Sequence, residues 1–404
     1  MRILVVSQDI PSLSRAGSRR PYQLLRVVGR RHALSLVYPY YRSQALVDVQ
    51  QIEGQADLFR TVRSFDLRSR HTTVCRKVRT RLSGLCLSET RIKFPREFSQ
   101  VVEAIRRLAP ENDVIWVTDL VSMQYVDGVR TPTVLDAVDC VSRNTALRLS
   151  RLSPGWRRAV WSWLFRPLRE FERSLHARAT LSVVNSRVDA RYMVERELGS
   201  PAVVENGCDT DHFSPTGGYE KAELPGRPVL VFVGVFRYHP NEDAARWLIQ
   251  DLMPRLLVHY ARAQLVLVGP GPSTPLPVSD HVVTTGFVPD VRPYYAGADV
   301  FVAPLRYGTG IKHKVLEAAS MECRIVATPS AVEGLSLRHG RHLFVADCAD
   351  GFVARIRDAL ESEEAVCMAK RARSLVDRRH SWDAQGERFE ALLRKAASRR
   401  RITR

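Results

Sequence analysis

Short apolar runs of strand length alternate with segments of helical spacing, and this alternation constrains the fold more than any other feature. In the first half, residues 3–7, 33–38, 114–118 and 181–184 have the apolar character of buried strands, and 19–31 has the spacing of a helix. Such alternation predicts mostly parallel sheets with helices on both faces. We therefore expect an α/β protein with doubly wound, Rossmann-like sheets, whose ligands bind at the carboxyl ends of the strands.

A cluster of turn-forming residues interrupts the pattern near the middle of the chain. Asn206-Gly207 is a strong turn signal, and prolines and glycines are frequent from there to Gly226. A second alternating series begins after this break, and a chain of 404 residues is long for a single core. The predicted parts are a first domain at 1–205, a linker at 206–227, a second domain at 228–380, and a C-terminal helix with a basic tail at 381–404 that packs back toward the first domain.

The segment that follows the predicted strand at 299–303 has the composition of an anion-binding turn. Gly308 and Gly310 allow the backbone to approach a ligand closely, and the next helix opens with two lysines and then Glu317. The N–H groups at the start of a helix favour anions, and a carboxylate accepts hydrogen bonds from hydroxyls. A diphosphate attached to a sugar would suit this set, whereas the alternative is an ordinary turn followed by helix lysines that face water.

The net charge of +18 requires an anionic partner or a compositional origin. Basic residues are dense at 68–96, at 143–178 and in the final segment 394–404. Such patches bind lipid headgroups, nucleic acid or anionic substrates, and arginine-rich genomic composition is the alternative. The tryptophan-rich basic segment 156–166 suits an anionic membrane surface or packing into the first domain. No recognised nucleic-acid-binding module occurs, so we do not expect nucleic acid as a partner.

Cysteine usage and apolar run lengths indicate the compartment. The seven cysteines contain no Cys-x-x-Cys pair, which argues against a disulfide framework or a zinc site and favours a reducing environment. The first apolar run, 1–7, is too short for a signal peptide, and none approaches the roughly 20 residues of a membrane span. We expect a cytoplasmic protein that is soluble or peripheral on the inner face of the plasma membrane.

Motifs in the second half resemble those of a known enzyme family. They are Phe232-Val233-Gly234, Pro240 to Ala244, Leu267 to Gly269, Gly286 to Val291, Ala303 to Arg306, Glu317-Ala318, Val326 to Pro329 and Glu333 to Leu335, with Asn206 to Asp209 at the domain junction. With these motifs the chain resembles the retaining GT-B glycosyltransferases of glycosyltransferase family four, and the first half matches more loosely. Within that family it is most similar to the sugar transferases of exopolysaccharide gene clusters.

The resemblance implies two Rossmann-like domains facing a central cleft, a nucleotide-diphosphate sugar as donor, and no metal or other cofactor. It also implies transfer with retention to a lipid-linked or polysaccharide/glycan acceptor, without a fixed carboxylate nucleophile. The alternatives are another GT-B enzyme, such as a nucleotide-sugar epimerase or a phosphorylase, and a basic non-enzymatic nucleic-acid-binding protein.

The family motif assigns roles to individual residues. Glu317 matches the glutamate that is expected to bind the ribose hydroxyls, whereas the first glutamate of the Glu-x7-Glu motif is replaced by Thr309. Arg306 or Lys312 is a candidate for part of the sugar recognition that this glutamate usually performs. The family places an arginine and a lysine against the diphosphate; Arg237 is present here, and Lys312 is the candidate for the missing lysine.

The remaining expected contacts come from both halves of the chain. The donor-binding set is completed by Gly17, Asn241, Gly308, Thr309, Gly310 and Ile311. Asp119 lies where relatives often carry a histidine or aspartate near the reacting sugar, so the expected catalytic set contains it together with Arg237 and Lys312. Asp136 and Asp139 are predicted either to face the cleft or to cap a helix.

Overall fold

The computed structural model describes residues 1–8, 10–12, 19–40, 59–66, 95–150, 154–272, 274–308 and 310–402. Its residues group into two compact units. One is Met1–Glu205 with Gln385–Arg404, and the other is Asn206–Ala384. The stretch 206–227, predicted as a linker, belongs to the second unit, whereas most of the C-terminal helix belongs to the first.

The first unit is built around one parallel sheet. Its strands are β1 (Arg2–Val6), β2 (Ala33–Tyr40), β3 (Thr61–Asp66), β4 (Val114–Val117), β5 (Thr133–Val138), β6 (Leu181–Val184) and β7 (Ala202–Val203). Its helices before the second unit are α1 (Arg19–Gly29), α2 (Pro95–Leu108), α3 (Val141–Ser150), α4 (Trp156–Arg178) and α5 (Arg187–Glu195), with short 3-10 turns at Ala109–Glu111 and Ser122–Val126. The strand order is β3-β2-β1-β4-β5-β6-β7.

The second unit repeats this architecture. Its strands are β8 (Val229–Val233), β9 (Gln264–Val268), β10 (Val282–Thr284), β11 (Val300–Ala303), β12 (Ile325–Ala327) and β13 (Phe344–Val345). The helices are α6 (His239–Trp247), α7 (Met253–His259), α8 (Arg292–Gly297), α9 (His313–Ser320), α10 (Pro329–Val332), α11 (Ala349–Glu361) and α12 (Glu363–His380), with a π turn at Leu248–Leu252. The C-terminal helix α13 (Trp382–Ile402) begins in this unit, and its residues from Gln385 onward belong to the first unit. The sheet order is β10-β9-β8-β11-β12-β13.

The central strands are apolar on both faces because helices cover both sides of each sheet. Residues 3–6 of β1 and 229–232 of β8 are fully buried. A parallel strand of this kind is a nearly continuous apolar run rather than an alternating one. The registered strand pairs of both sheets are parallel. The predicted α/β fold with two Rossmann-like, doubly wound units is therefore confirmed.

The C-terminal helix α13 packs on the sheet of the first unit. The Phe389 ring lies 4.6 Å from the Trp116 ring, and Glu390 Oε1 is 2.9 Å from His32 Nε2. Both Trp116 and Phe389 are fully buried, so this helix contributes apolar surface to the first core.

Two further sequence features can be placed in the fold. Of the described cysteines, Cys140, Cys208 and Cys323 are buried free thiols, and Cys348 and Cys367 are exposed free thiols. Within the described ranges, every helix is too short or too polar to cross a lipid bilayer.

Candidate functional site

The carboxyl ends of β8 and β11 lie side by side where the order of the second sheet reverses. Strand β8 pairs with β9 on one side and with β11 on the other. Ligands of doubly wound sheets bind outside the carboxyl ends of the strands at this switch point. Gly234 follows β8 there, and the segment 304–308 follows β11.

The turn after β8 is packed so tightly that side chains larger than hydrogen do not fit. A Cβ added to Gly269, whose φ is +128°, would lie 2.2 Å from the Gly234 carbonyl oxygen. A Cβ added to Gly234 would lie 2.9 Å from both Asn241 Nδ2 and Lys314 Nζ. The Gly234 N–H also donates to the Val268 carbonyl at 2.9 Å. The turn is therefore held between the end of β9 and the first turn of α9.

Lys314, in the first turn of α9, is a half-buried lysine of this site. Its Nζ donates to Asn241 Oδ1 at 2.6 Å and lies 4.3 Å from the centre of the Phe232 ring. Burial lowers the pKa of Lys314 to about 7, with the nearby Glu317 carboxylate opposing this effect and Lys312 adding to it. An anion placed beside Nζ would favour the charged form, so a bound phosphate would raise the pKa of Lys314.

Asn241 is buried and connects two parts of the site. Its Nδ2 donates to the Val235 carbonyl at 2.9 Å, while its Oδ1 accepts the hydrogen bond from Lys314. The amide therefore fixes the turn after β8 and the lysine relative to each other. Asn241 was predicted to contact a donor directly; in the structure both ends of its buried amide bond to the protein, and the direct contact stays a prediction.

Lys312 folds back over the glycine turn. Its Nζ donates to the carbonyls of Gly308 at 3.0 Å and of Gly310 at 2.6 Å. Both glycines have positive φ, +121° and +74°, and Lys312 itself is the extended residue before α9. Lys312 was the predicted replacement for the missing lysine, but it is Lys314 that reaches the turn after β8. In the sequence, Lys314 is only the second of two lysines near the start of a helix, and nothing local distinguishes it from Lys312.

Glu317 lies one turn after Lys314 on α9, where i and i+3 side chains share a face. One carboxylate oxygen accepts a hydrogen bond from Tyr295 Oη at 3.0 Å. Tyr295 is buried, and burial together with the Glu317 carboxylate raises the pKa of this tyrosine well above its usual value. The phenol therefore stays protonated and orients the half-buried carboxylate.

The two predicted arginines lie in different environments. Arg237 is exposed in the turn between β8 and α6, and it has no hydrogen-bond or ion-pair partner within the part of the chain that the structure describes. Arg306 is also exposed, but one edge of its guanidinium, formed by Nε and Nη2, donates to both carboxylate oxygens of Asp243, with Nε to Oδ2 at 2.9 Å. This pair raises the pKa of Arg306. Arg237 is available to a ligand as it stands, whereas Arg306 would have to leave Asp243.

Three predicted donor contacts remain, at Ile311, Thr309 and Gly17. The Ile311 side chain is buried in the core of the second unit, so only its backbone is left for a ligand. Thr309 and Gly17 lie outside the described residues.

Asp119 lies at the switch point of the first sheet, after the carboxyl end of β4 and beside that of β1. It accepts hydrogen bonds from the Gln8 N–H at 3.2 Å and from the N–H and hydroxyl of Ser122 at 2.8 and 2.6 Å. Burial raises the pKa of Asp119, and these hydrogen bonds oppose the increase. The carboxylate therefore anchors the turn after β4.

Asp136 has a partner that the sequence did not reveal. Arg20 Nε is 2.9 Å from its Oδ2, both side chains are buried, and Arg20 also donates to the Glu205 carbonyl at 3.2 Å. Asp136 therefore forms a buried ion pair in the first unit, a role that was not among its two predicted ones. Asp139 accepts a hydrogen bond from Asn185 Nδ2 at 2.7 Å.

Comparison with protein families decides the class of the second unit. Residues 227–362 match the family model described as "Glycosyl transferases group 1". The second unit contains a group 1 glycosyltransferase domain. This domain runs from just before β8 to the residue after α11, and it includes Gly234, Asn241, Lys314 and Glu317. The prediction that the chain is a glycosyltransferase is confirmed at the level of this domain.

Solved structures are similar to this chain over both of its units. HepE from Anabaena in complex with UDP is 15% identical with a TM-score of 0.65, covering 98% of this chain and 100% of HepE. A glycosyltransferase from Rickettsia africae is 12% identical, and sucrose-phosphate synthase from Thermosynechococcus elongatus is 14% identical; each has a TM-score of 0.64 and coverage of 98% of both chains. Such low identities establish the GT-B fold alone. A search of curated proteins finds no significant match.

Proposed function

We propose that this protein transfers a sugar from a nucleotide-diphosphate sugar to a lipid-linked or polysaccharide acceptor of the exopolysaccharide type, with retention and without a metal. The observation that carries the proposal is the Lys314 ammonium beside the Gly234 turn, in a segment that matches the group 1 domain. HepE has been crystallised with UDP and with UDP-glucose, so a uridine nucleotide is the first donor to test.

The chemistry requires positive charge at this position. Transfer breaks the bond between the sugar C1 and a diphosphate oxygen, and the electron pair leaves with the diphosphate. The acceptor hydroxyl oxygen forms the new bond to C1, and its proton passes to an oxygen of the departing diphosphate. Preorganised cations and N–H groups stabilise the developing negative charge. Protonated Lys314, Arg237 and the N–H groups at the start of α9 would serve this purpose, each charge-assisted bond contributing roughly 1.5–3 kcal/mol.

Ribose recognition is assigned to Glu317. A carboxylate accepts hydrogen bonds from vicinal hydroxyls, and Tyr295 already orients this one at 3.0 Å. The position of Glu317 on the same helix as Lys314 matches a nucleotide whose ribose is joined directly to its diphosphate. Thr309 stands where the family's other glutamate usually contacts the donor sugar. Arg306 and Lys312 remain the candidates for binding the donor sugar in its place.

A thermal-shift screen tests this donor site. We expect UDP, GDP or ADP, or one of their sugar conjugates, to raise the melting temperature, because a ligand that binds only the folded state stabilises it. Glu317→Ala should weaken binding about 10–100-fold, the equivalent of one lost charge-assisted bond. Glu363→Ala, at an exposed site on α12, is the matched control. If no nucleotide shifts the wild type, or if Glu317→Ala binds equally well, the assigned site is wrong.

Metal independence predicts that chelation leaves the reaction intact. We expect the initial rate of sugar transfer to be unchanged in excess EDTA, because Lys314 and Arg237 supply the positive charge that a bound metal supplies in other transferases. The measurement is product formation from a labelled donor, before and after dialysis against EDTA. Loss of activity that returns with added Mg²⁺ or Mn²⁺ would contradict this part of the proposal.

A membrane surface is the proposed location of the acceptor. Trp156, Val160 and Trp163 are 73%, 46% and 66% exposed on α4, and their i, i+4, i+7 spacing places them on one face. Exposed Arg166 and Arg169 follow on the same helix. Aromatic residues next to arginines favour the interface of anionic lipid.

Co-sedimentation with vesicles measures this contact. We expect the double variant Trp156→Ser, Trp163→Ser to lose binding to phosphatidylcholine vesicles that contain phosphatidylglycerol. The control is Val258→Ser, Val278→Ser, which removes exposed apolar side chains of the second unit. If both double variants sediment equally with the vesicles, α4 is not the part of the protein that contacts the membrane.

A further inference from the structure

A cavity lies in the first unit, at the end of the sheet opposite to the strand ends beside Asp119. Its volume is about 580 Å³, and it is lined by the end of α4, the loop 197–201 and part of α13. Leu181 and Ala202, where β6 and β7 begin, also line it, so it opens at the amino ends of the strands. Its volume is within the range of small-molecule sites, which is about 300–1,000 Å³.

Positive charge converges on this cavity from two helices. Arg173 comes from α4, while Lys395 and Arg399 come from α13. Glu197 is the one carboxylate among the described residues that line it. Arg399 donates to the Thr180 carbonyl at 3.2 Å, which holds its guanidinium at the start of β6. The excess of cations selects for an anionic ligand.

A buried histidine in the wall of the cavity supplies an unused polar atom. His176 is 5% exposed, and its Nδ1 shares a short hydrogen bond with the Ser182 hydroxyl. Its Nε2 is buried without a hydrogen-bond partner among the residues that the structure describes. A buried polar atom left unpaired is unfavourable because it has lost its water without gaining a protein partner. When Ser182 donates to Nδ1, Nε2 carries the ring hydrogen and can donate to an oxygen of a ligand.

Burial also sets the charge of this histidine. It lowers the pKa of His176 to about 4, so the ring is neutral at physiological pH. His176 therefore contributes a directed hydrogen bond, whereas the arginines and the lysine contribute the charge.

We infer that this cavity binds a phosphate-bearing ligand, with the phosphate oxygens against Lys395, Arg399 and Nε2 of His176. The site is separate from the one at Lys314, because it belongs to the other unit and lies at the amino ends of the strands. A phosphate bound there would connect α4, β6 and α13. Binding would therefore stabilise the docking of the C-terminal helix on the first sheet, independently of whether the protein transfers a sugar.

The test uses inorganic phosphate and the full-length chain in a Lys314→Met background, so that the other anion site does not contribute. Melting temperatures are measured against phosphate concentration at constant ionic strength. We expect the Lys314→Met reference to be stabilised by phosphate. Additional Lys395→Gln and Arg399→Gln substitutions, both at exposed side chains, should abolish this stabilisation. Lys370→Gln with Arg388→Gln removes the same charge at exposed positions outside the cavity and should leave it intact.

Vesicles distinguish the two sources of a phosphate group. If the ligand is a lipid headgroup, Lys395→Gln with Arg399→Gln also loses co-sedimentation with phosphatidylcholine vesicles that contain phosphatidic acid. If the ligand is a soluble phosphate ester, only the stabilisation by inorganic phosphate is lost. An absent shift in the reference, or equal shifts in both double variants, would overturn the inference.

Discussion

We expect Lys314→Met to lower kcat/KM for the sugar donor by about 10²–10³-fold, which is the usual effect of removing one preorganised donor of a charge-stabilising site. Methionine keeps the length and apolar stem of the side chain but removes the ammonium that lies beside the Gly234 turn and 2.6 Å from Asn241 Oδ1. Fewer groups would then stabilise the negative charge on the departing diphosphate. Initial rates at subsaturating donor measure the effect.

The matched control is Lys370→Met, on an exposed face of α12. It removes the same charge from the same unit without touching the carboxyl ends of β8 and β11. Melting temperature separates a catalytic effect from a folding defect. If Lys314→Met and Lys370→Met have equal activity, the ammonium at Lys314 does not act on the donor.

The same lysine should make donor affinity depend on pH. In the free protein burial lowers the Lys314 pKa to about 7, and a bound diphosphate favours the ammonium. Affinity should therefore be highest below pH 7 and fall as the pH rises above it.

Stability of the free protein changes in the opposite direction. The unfolded lysine keeps its proton up to its ordinary pKa of 10.5, so the unfolded state binds more protons and the free energy of unfolding rises between about 7 and 10.5.

Gly269→Ala should destabilise the second unit by about 2–4 kcal/mol and abolish transfer. Two effects add at this position. The backbone has φ of +128°, which alanine adopts only with strain, and the new Cβ would lie 2.2 Å from the Gly234 carbonyl oxygen. Relief of this overlap must displace the turn after β8, and with it the position of Lys314. Urea unfolding and donor turnover measure the two consequences.

Gly271→Ala is the matched control, two residues further along the chain. A Cβ added there meets no atom within 4 Å, and its φ is outside the left-handed range. We expect this variant to unfold and to turn over donor like the wild type. Should Gly269→Ala behave like Gly271→Ala, the turn after β8 tolerates displacement and does not define the site.

The sheets could be predicted from the sequence because burial on both faces leaves a direct signature. Residues 3–6 and 229–233 are uninterrupted apolar runs, and helical spacing follows each of them. The glycine turn could be predicted equally well, since Gly308 and Gly310 stand between a buried strand and a charged helix. Positive φ at both glycines shows why those positions carry no side chain.

The role of each lysine could not be predicted in the same way. Lys312 and Lys314 are two residues apart, so the position at which α9 begins determines which of them faces β8. The helix begins at His313, which leaves Lys312 extended over the glycine turn and directs Lys314 toward Asn241.

The partner of Asp136 illustrates a second limit of prediction. Arg20 lies 116 residues earlier in the chain, yet the two side chains form a buried ion pair. Nothing in the local sequence around either residue indicates this pairing, because it arises only when α1 packs on the sheet. An aspartate at the end of a predicted strand can therefore either contact a ligand or pair with a buried cation, and the sequence alone does not distinguish the two roles.

The most direct test is calorimetric titration of UDP, GDP and ADP into the wild type and into Lys314→Met at pH 6.5 and pH 8.5, values chosen on either side of the Lys314 pKa of about 7. We predict that at least one nucleoside diphosphate binds the wild type, more tightly at the lower pH. Its affinity for Lys314→Met should be at least about tenfold lower, with most of the pH dependence lost. Absence of binding by all three nucleotides, or equal affinity for both proteins, would contradict a donor-diphosphate site at Lys314.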